Sequence, residues 1–195
     1  MLIITDYKAG NVKSISNMLD TFGIEYKISS DKDEILSADA IIFPGQGHFG
    51  QAMKKLEESN LKDTIIEAAT IKKIKFLGIC LGLQILFEES EEAPNTKGLS
   101  IFKGKVKRFK SGKIPQIGWN NILATQNNDF LNDDFFYFVN SYYVEPEDKS
   151  IISSYCEYGI KFCASVQKDN ITAVQFHPEK SAEAGKKFFE KWLKA

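Results

Sequence analysis

The chain predicts an α/β fold: a mixed, mostly parallel central sheet with helices on both faces. Three observations carry this. Up to about residue 90, short apolar runs alternate with amphipathic ones at helical spacing, the pattern of a parallel sheet covered on both sides. Beyond about residue 95 the runs are strand-like and divided by the turn residues "SGK", "QNND", "EPED" and "KDN". A last amphipathic segment, "SAEAGKKFFEKWLKA", closes the chain as a helix.

In order, "MLIITD" reads as a buried strand and "NVKSISNMLDTFG" as a helix stopped by Gly23. "EYKIS" is a second strand, "DKDEILSA" a short helical piece, and "DAIIFPG" a third strand ending at Pro44 and Gly45. "HFGQAMKKLEES" and "LKDTIIEAATI" are helical, and "KIKFLGI" is a fourth strand running straight into a helix over residues 81–89. The strands "KVKRF", "WNNILAT", "FFYFVNSYYV", "SIISSYCEY", "IKFCASVQK" and "NITAVQFHP" follow. The alternation in "FFYFVNSYYV" predicts one central strand buried on both faces, most of its rings in the core. No repeat, low-complexity stretch or linker interrupts this order, so residues 1–195 read as one domain.

Composition narrows the function classes. Of 195 residues, 43% are apolar and 26% charged, and the net charge of −1 lacks the basic excess of a nucleic-acid reader. No run approaches the roughly 18 apolar residues of a membrane helix, and the opening run is too short and not basic enough for a signal peptide. The three cysteines, Cys80, Cys156 and Cys163, have no paired spacing, so neither a disulfide framework nor a zinc site is expected. A reduced, cytoplasmic setting follows, with no metal and no cofactor.

Chemistry concentrates at Gly78-Ile79-Cys80-Leu81-Gly82, a strand running into a helix. This is the G-x-nucleophile-x-G pattern of an elbow that lifts its central residue above the sheet, with small neighbours because backbones approach closely there. The helix start favours a thiolate at Cys80, and the N–H of Leu81 is a natural oxyanion donor. A buried core cysteine with incidental glycines is the plainer alternative, so the elbow needs a base. Of the two histidines, His177 stands at the end of the last apolar strand. Pro178 biases it toward extended geometry, and residues two apart in an extended chain face the same way. Glu179 can therefore orient the imidazole while His177 exchanges protons. His48, in "FPGQGHFG", reads as a loop or partner-contact residue. That glycine-rich turn lacks the lysine and hydroxyl of a phosphate loop, and can instead expose N–H groups to a developing oxyanion.

"PGQGHFG", "GICLGLQILFEES" and "QFHPEKS", in that order, give the chain a resemblance to the class I (triad) glutamine amidotransferases over nearly its whole length. "DYKAGNVKS", "PQIGWN" and "VNSYYV" make it most similar to the free-standing glutaminase subunits of histidine biosynthesis. The resemblance implies a flavodoxin-like amidotransferase domain over residues 1–195, acting on L-glutamine through Cys80, His177 and Glu179. It implies an oxyanion hole from Leu81, Gln46 and Gly47, and contacts to glutamine from Gly47, Gln84, Ser141 and Tyr142. It also implies a heterodimer with a (β/α) barrel cyclase subunit that receives the ammonia, with Asn11, Trp119, Asn120 and Lys180 at or near the partner surface. Gly45 and Gly47 would let the Gln46 peptide turn between two settings. Gln116 and Asn140 stand where the family commonly has histidine, leaving room for a paralogue that feeds another acceptor, such as a sugar being amidinated. A cysteine hydrolase or peptidase on a related sheet would not share "FHPEKS", and a non-catalytic binding module would not need all three of Cys80, His177 and Glu179.

Overall fold

Apolar runs in this chain become strands because successive side chains find a hydrophobic layer on each side of one sheet. The computed structural model describes residues 1–7 and 12–195. In chain order it begins β1 (Leu2–Thr5), α1 (Val12–Thr21), β2 (Tyr26–Ser29), α2 (Lys32–Leu36), β3 (Ala40–Phe43) and α3 (Phe49–Glu58). Next come α4 (Lys62–Ile66), continued as a π-helical turn over Glu67–Ile71, then β4 (Lys75–Ile79) and the single turn α5 (Leu81–Gln84). The second half runs β5 (Glu89–Ser90), β6 (Gly104–Arg108), β7 (Gln116–Ala124), β8 (Asp134–Asn140) and β9 (Tyr142–Pro146). It closes with β10 (Ile152–Glu157), β11 (Lys161–Lys168), β12 (Ile171–Val174) and α6 (Ala182–Lys194).

Among the described residues the main sheet has the order β2-β1-β3-β4-β12-β11-β10-β7-β8. β2, β1, β3, β4 and β12 are parallel, with Ala173 beside Gly78 and Val174 beside Ile79. From β12 onward through β11, β10, β7 and β8 the pairing is antiparallel. β9 pairs with β11 and β6, and β6 with β5. The sheet is thus mixed and parallel through its first half, as the sequence predicts.

The inner parallel strands β1, β3 and β4 each feed two cores. Ile3, Ile41 and Phe76 face the layer filled by Ile35 of α2, Phe49 and Leu56 of α3 and Ile65 of α4. Leu2, Ile4, Ile42 and Leu77 face the opposite layer, filled by Ile15 and Leu19 of α1 and Phe188 and Trp192 of α6. Full burial of such a side chain contributes about 1.5–3 kcal/mol. The two layers together explain why these strands read as continuous apolar runs.

Two predicted elements differ. The helix over residues 81–89 stops after α5, because the segment after Gly98 competes for its carbonyls. Leu99 N donates to Ile85 O at 2.7 Å, and Ile101 N and Phe102 N both donate to Leu86 O at 2.9 Å. "FFYFVNSYYV" is not one central strand buried on both faces: it breaks at Ser141 into β8, an end strand of the main sheet, and β9, which joins β6 and β11. In β8, Phe136 and Phe138 are buried and Phe135 is exposed, so its alternation is that of a half-covered strand.

Candidate active site

The glycines around Cys80 are there for close approach. A Cβ on Gly78 would lie 2.7 Å from Gly82 O, and one on Gly82 would lie 2.4 Å from Phe43 O. A Cβ on Gly45 would lie 2.3 Å from Gly82 N, so the ends of β3 and β4 and the start of α5 interlock. Gly45 is therefore needed for close packing, whatever freedom it lends the loop. Gly47 differs, with φ of +102° and nothing within 4 Å of an added Cβ, so the conformational latitude expected of the loop rests there.

At the centre of this wedge Cys80 adopts φ 54° and ψ −104°, a conformation that costs a non-glycine residue about 1–3 kcal/mol. Its backbone is held from both sides: Cys80 N donates to Val174 O at 2.7 Å, and Leu83 N donates to Cys80 O at 3.0 Å. Leu81 follows as the first residue of α5, where an N–H has no acceptor within the helix. Because α5 is one turn, it lacks the extended dipole expected of a longer helix; the cation beside Cys80 is His177.

β12 delivers that histidine. His177 N donates to Tyr137 O at 2.8 Å, tying the turn after β12 to β8, and Pro178 opens a short 3₁₀ turn that ends at Lys180. His177 Nδ1 lies 2.8 Å from Glu179 Oε1, both side chains almost wholly buried. Burial works to lower the His177 pKa, but the charge and hydrogen bond of Cys80, then Glu179, outweigh it and raise it to about 10. A protonated imidazole therefore stands beside the sulfur.

Around this pair lies a cavity of about 480 Å³ whose wall includes Gln46, Gly47, Leu81, Gln84, Ser141 and Tyr142, with Cys80 and His177 facing it. The structure thus brings the predicted nucleophile, base, oxyanion loop and glutamine contacts to one place. Lys180 is exposed and reaches the same cavity. Trp119 is exposed on the outer face of β7, and the Asn120 side chain donates to Glu157 O at 2.8 Å. Asn11 lies outside the described residues.

Several neighbours of the site escape sequence reasoning. Gln175, fully buried, donates from Nε2 to Cys80 Sγ at 3.5 Å; its only signal is a carboxamide in an otherwise apolar strand two residues before His177. The Val139 carbonyl lies 3.9 Å from the same sulfur. Tyr7 donates its hydroxyl to Pro44 O at 3.0 Å and stacks on Phe43, and burial, then the charge at Cys80, raises its pKa and keeps it protonated. His48 Nδ1 accepts from Gly50 N at 3.1 Å and caps α3, a structural role rather than that of a base. Gln116 and Asn140 face each other across β7 and β8; Asn140 Oδ1 is buried with no partner among the described residues, and the buried Gln116 amide lies against the Cys156 thiol. Cys156 and Cys163 are buried, and burial pushes both thiols up to about 12, leaving them as packing residues.

Comparison with known proteins follows the same lines. The family described as glutamine amidotransferase class-I matches residues 3–195. The chain is 42% identical to the imidazole glycerol phosphate synthase subunit HisH 1 of Methanococcus maripaludis, covering 99% of this chain and 98% of that protein. It is 43% identical to the imidazole glycerol phosphate synthase subunit HisH of Methanothermobacter thermautotrophicus, covering 95% and 93%. A solved structure described as a glutamine amidotransferase superposes with a TM-score of 0.79 at 18% identity, covering 98% of this chain and 97% of that one. At that identity it speaks for the fold alone.

Proposed function

Since the chain belongs to the class-I glutamine amidotransferase family, we propose that it is the glutaminase subunit of an imidazole glycerol phosphate synthase in histidine biosynthesis. The observation that carries this is the meeting of Cys80 and His177, the latter held by Glu179, at a cavity of about 480 Å³ with room for an amino acid, in a chain similar over nearly its whole length to such subunits.

The chemistry follows from the geometry. Cys80 Sγ attacks the side-chain amide carbon of L-glutamine, and the N–H groups of Leu81 and of the Gln46 and Gly47 loop receive the oxyanion. His177 gives its proton to the departing ammonia, leaving a glutamyl thioester. The neutral imidazole then takes a proton from water as it attacks the thioester; collapse expels the Cys80 thiolate, releases glutamate with its acid proton passing to solvent, and restores the thiolate–imidazolium pair. Glu179 holds Nδ1 throughout, which keeps Nε2 directed at the reacting atoms. Gly47, Gln84, Ser141 and Tyr142 hold the main-chain groups of the substrate.

The ammonia passes to a (β/α) barrel cyclase subunit, the partner in a heterodimer, which forms imidazole glycerol phosphate and aminoimidazole carboxamide ribotide. An apolar face supports such docking: Ile117, Trp119 and Phe135 lie exposed on one side of β7 and β8, and Val139 carries that side to the cavity. Trp119 lies on this face and Lys180 reaches the cavity, while Asn120, one residue on in β7, turns its side chain to the Glu157 carbonyl beside it. A cytoplasmic setting suits the reading, and no described helix is long and apolar enough to cross a membrane.

Glutamate release should be low for the chain alone and rise at least about tenfold with the barrel subunit and its nucleotide substrate. Cys80→Ala should reduce it by about 10,000-fold or more. Basal activity without stimulation would favour a paralogue serving another acceptor, the reading that Gln116 and Asn140 leave open.

A further inference from the structure

The mechanism uses His177 and Glu179 but not the other polar side chain on the sulfur. Gln175 follows β12, its N–H donating to Ala164 O at 2.8 Å, and its side chain has no access to solvent. An apolar residue would fill that layer without needing partners, whereas a buried carboxamide must satisfy both of its ends. Gln175 does so: Oε1 accepts from Gln84 Nε2 at 3.0 Å, and Nε2 donates to Cys80 Sγ at 3.5 Å. With the acceptor end taken by Gln84, the donor end is the one that faces the sulfur. Gln84 is itself fixed by a 3.3 Å bond to Tyr142 O, which also accepts from Asn140 Nδ2 at 2.9 Å. A run of amides therefore leads from the β8–β9 junction to the nucleophile.

We propose that Gln175 is a positioning residue for Cys80: its amide N–H holds the sulfur in the rotamer that faces the cavity and stabilises the thiolate. The role rests on Cys80 being the nucleophile of the glutaminase. Among the described residues, the titratable groups that face Cys80 are His177 from the turn after β12 and Tyr7 just beyond β1, with Glu92, Tyr142 and Lys180 on the cavity wall. Gln175 does not titrate, so its removal displaces the midpoint of thiolate formation without adding a step.

The test is the pH dependence of Cys80 alkylation by iodoacetamide in the full chain, read by peptide mass. Wild type is compared with Gln175→Met, which keeps the volume, and Gln175→Glu, which sets a carboxylate against the sulfur. Loss of the donor should raise the midpoint by about one pH unit and slow alkylation at neutral pH about tenfold, with a larger rise for the carboxylate. Cys156 and Cys163, both buried, should stay unmodified and so report an intact fold. Superimposable profiles in variants that keep those two thiols protected overturn the proposal. If Gln175→Met exposes them, Gln84→Met decides: freeing the acceptor end of Gln175 should shift the midpoint in the same direction by less, and an unchanged midpoint overturns the proposal. A wild type inert toward glutamine even with the barrel subunit and its nucleotide substrate, whose Cys80 profile still moves with Gln175, would sink the glutaminase reading and leave only the support of the sulfur by the Gln175 amide.

Discussion

At the carboxyl ends of β3 and β4, a methyl group on Gly82 would sit 2.4 Å from the Phe43 carbonyl oxygen. On the outer face of β7 and β8, Ile117, Trp119 and Phe135 keep 61%, 53% and 56% of their surface exposed. Both regions border the same cavity through Cys80 and Val139, yet they are finished to different degrees. The parallel end is closed by its own chain, with interlocked glycines, a strained cysteine and a buried ion pair. The antiparallel edge presents apolar side chains that the described residues leave exposed. Positioning a nucleophile needs rigidity that packing alone can supply, whereas receiving a partner needs surface left open.

The comparison breaks first at Gly82. Gly82→Ala forces a backbone oxygen to move, and should cost about 3 kcal/mol of stability in denaturant unfolding, with glutaminase activity lost alongside. A smaller effect tests the charge pair in the same closed region. His177 is held at about 10 against an ordinary 6.5, so its contribution to stability is complete below pH 6.5 and fades as pH rises through 10. Wild-type Tm should therefore fall between pH 6.5 and 10 more than that of His177→Gln, and parallel curves would refute the pairing.

On the open face the expectation reverses. Replacing Ile117 and Trp119 together by alanine should leave the chain's own stability within about 0.5 kcal/mol. The same pair should weaken binding of the barrel subunit by about 2 kcal/mol in calorimetry, roughly thirtyfold in Kd. Unchanged affinity would mean that the partner docks elsewhere. The smallest effect sharpens the contrast within the site. Gly47→Ala meets no atom within 4 Å, so its cost should be only the strain of a positive φ, about 1 kcal/mol. A loss as large as that of Gly82→Ala would put Gly47 in the wedge as well.

Much of this was legible in the chain. The elbow glycines, Cys80 and the two-residue step from His177 to Glu179 follow from local rules of turn sterics and strand alternation. So do the parallel strands, whose apolar runs record burial on both faces. What escaped depended on contacts distant in sequence. The helix after Cys80 was cut short by backbone donors from residues 99–102, which no local propensity encodes. The break at Ser141 reflects two different pairing partners for β8 and β9. The close approach of Gly45 to Gly82 N likewise joins residues 37 apart in the chain.

By itself the sequence determined which residues are candidates to react and on which kind of sheet edge they stand, because the proposed nucleophile, base and orienting acid each sit in a local motif. Only the tertiary structure decided what supports them. Gln175 reaches Cys80 across 95 residues of chain and Gln84 reaches Gln175 across 91, contacts created by placing β12 beside β4. Local pattern governs geometry over a few residues, whereas the surroundings of a buried atom are set by whichever strands the sheet order makes neighbours.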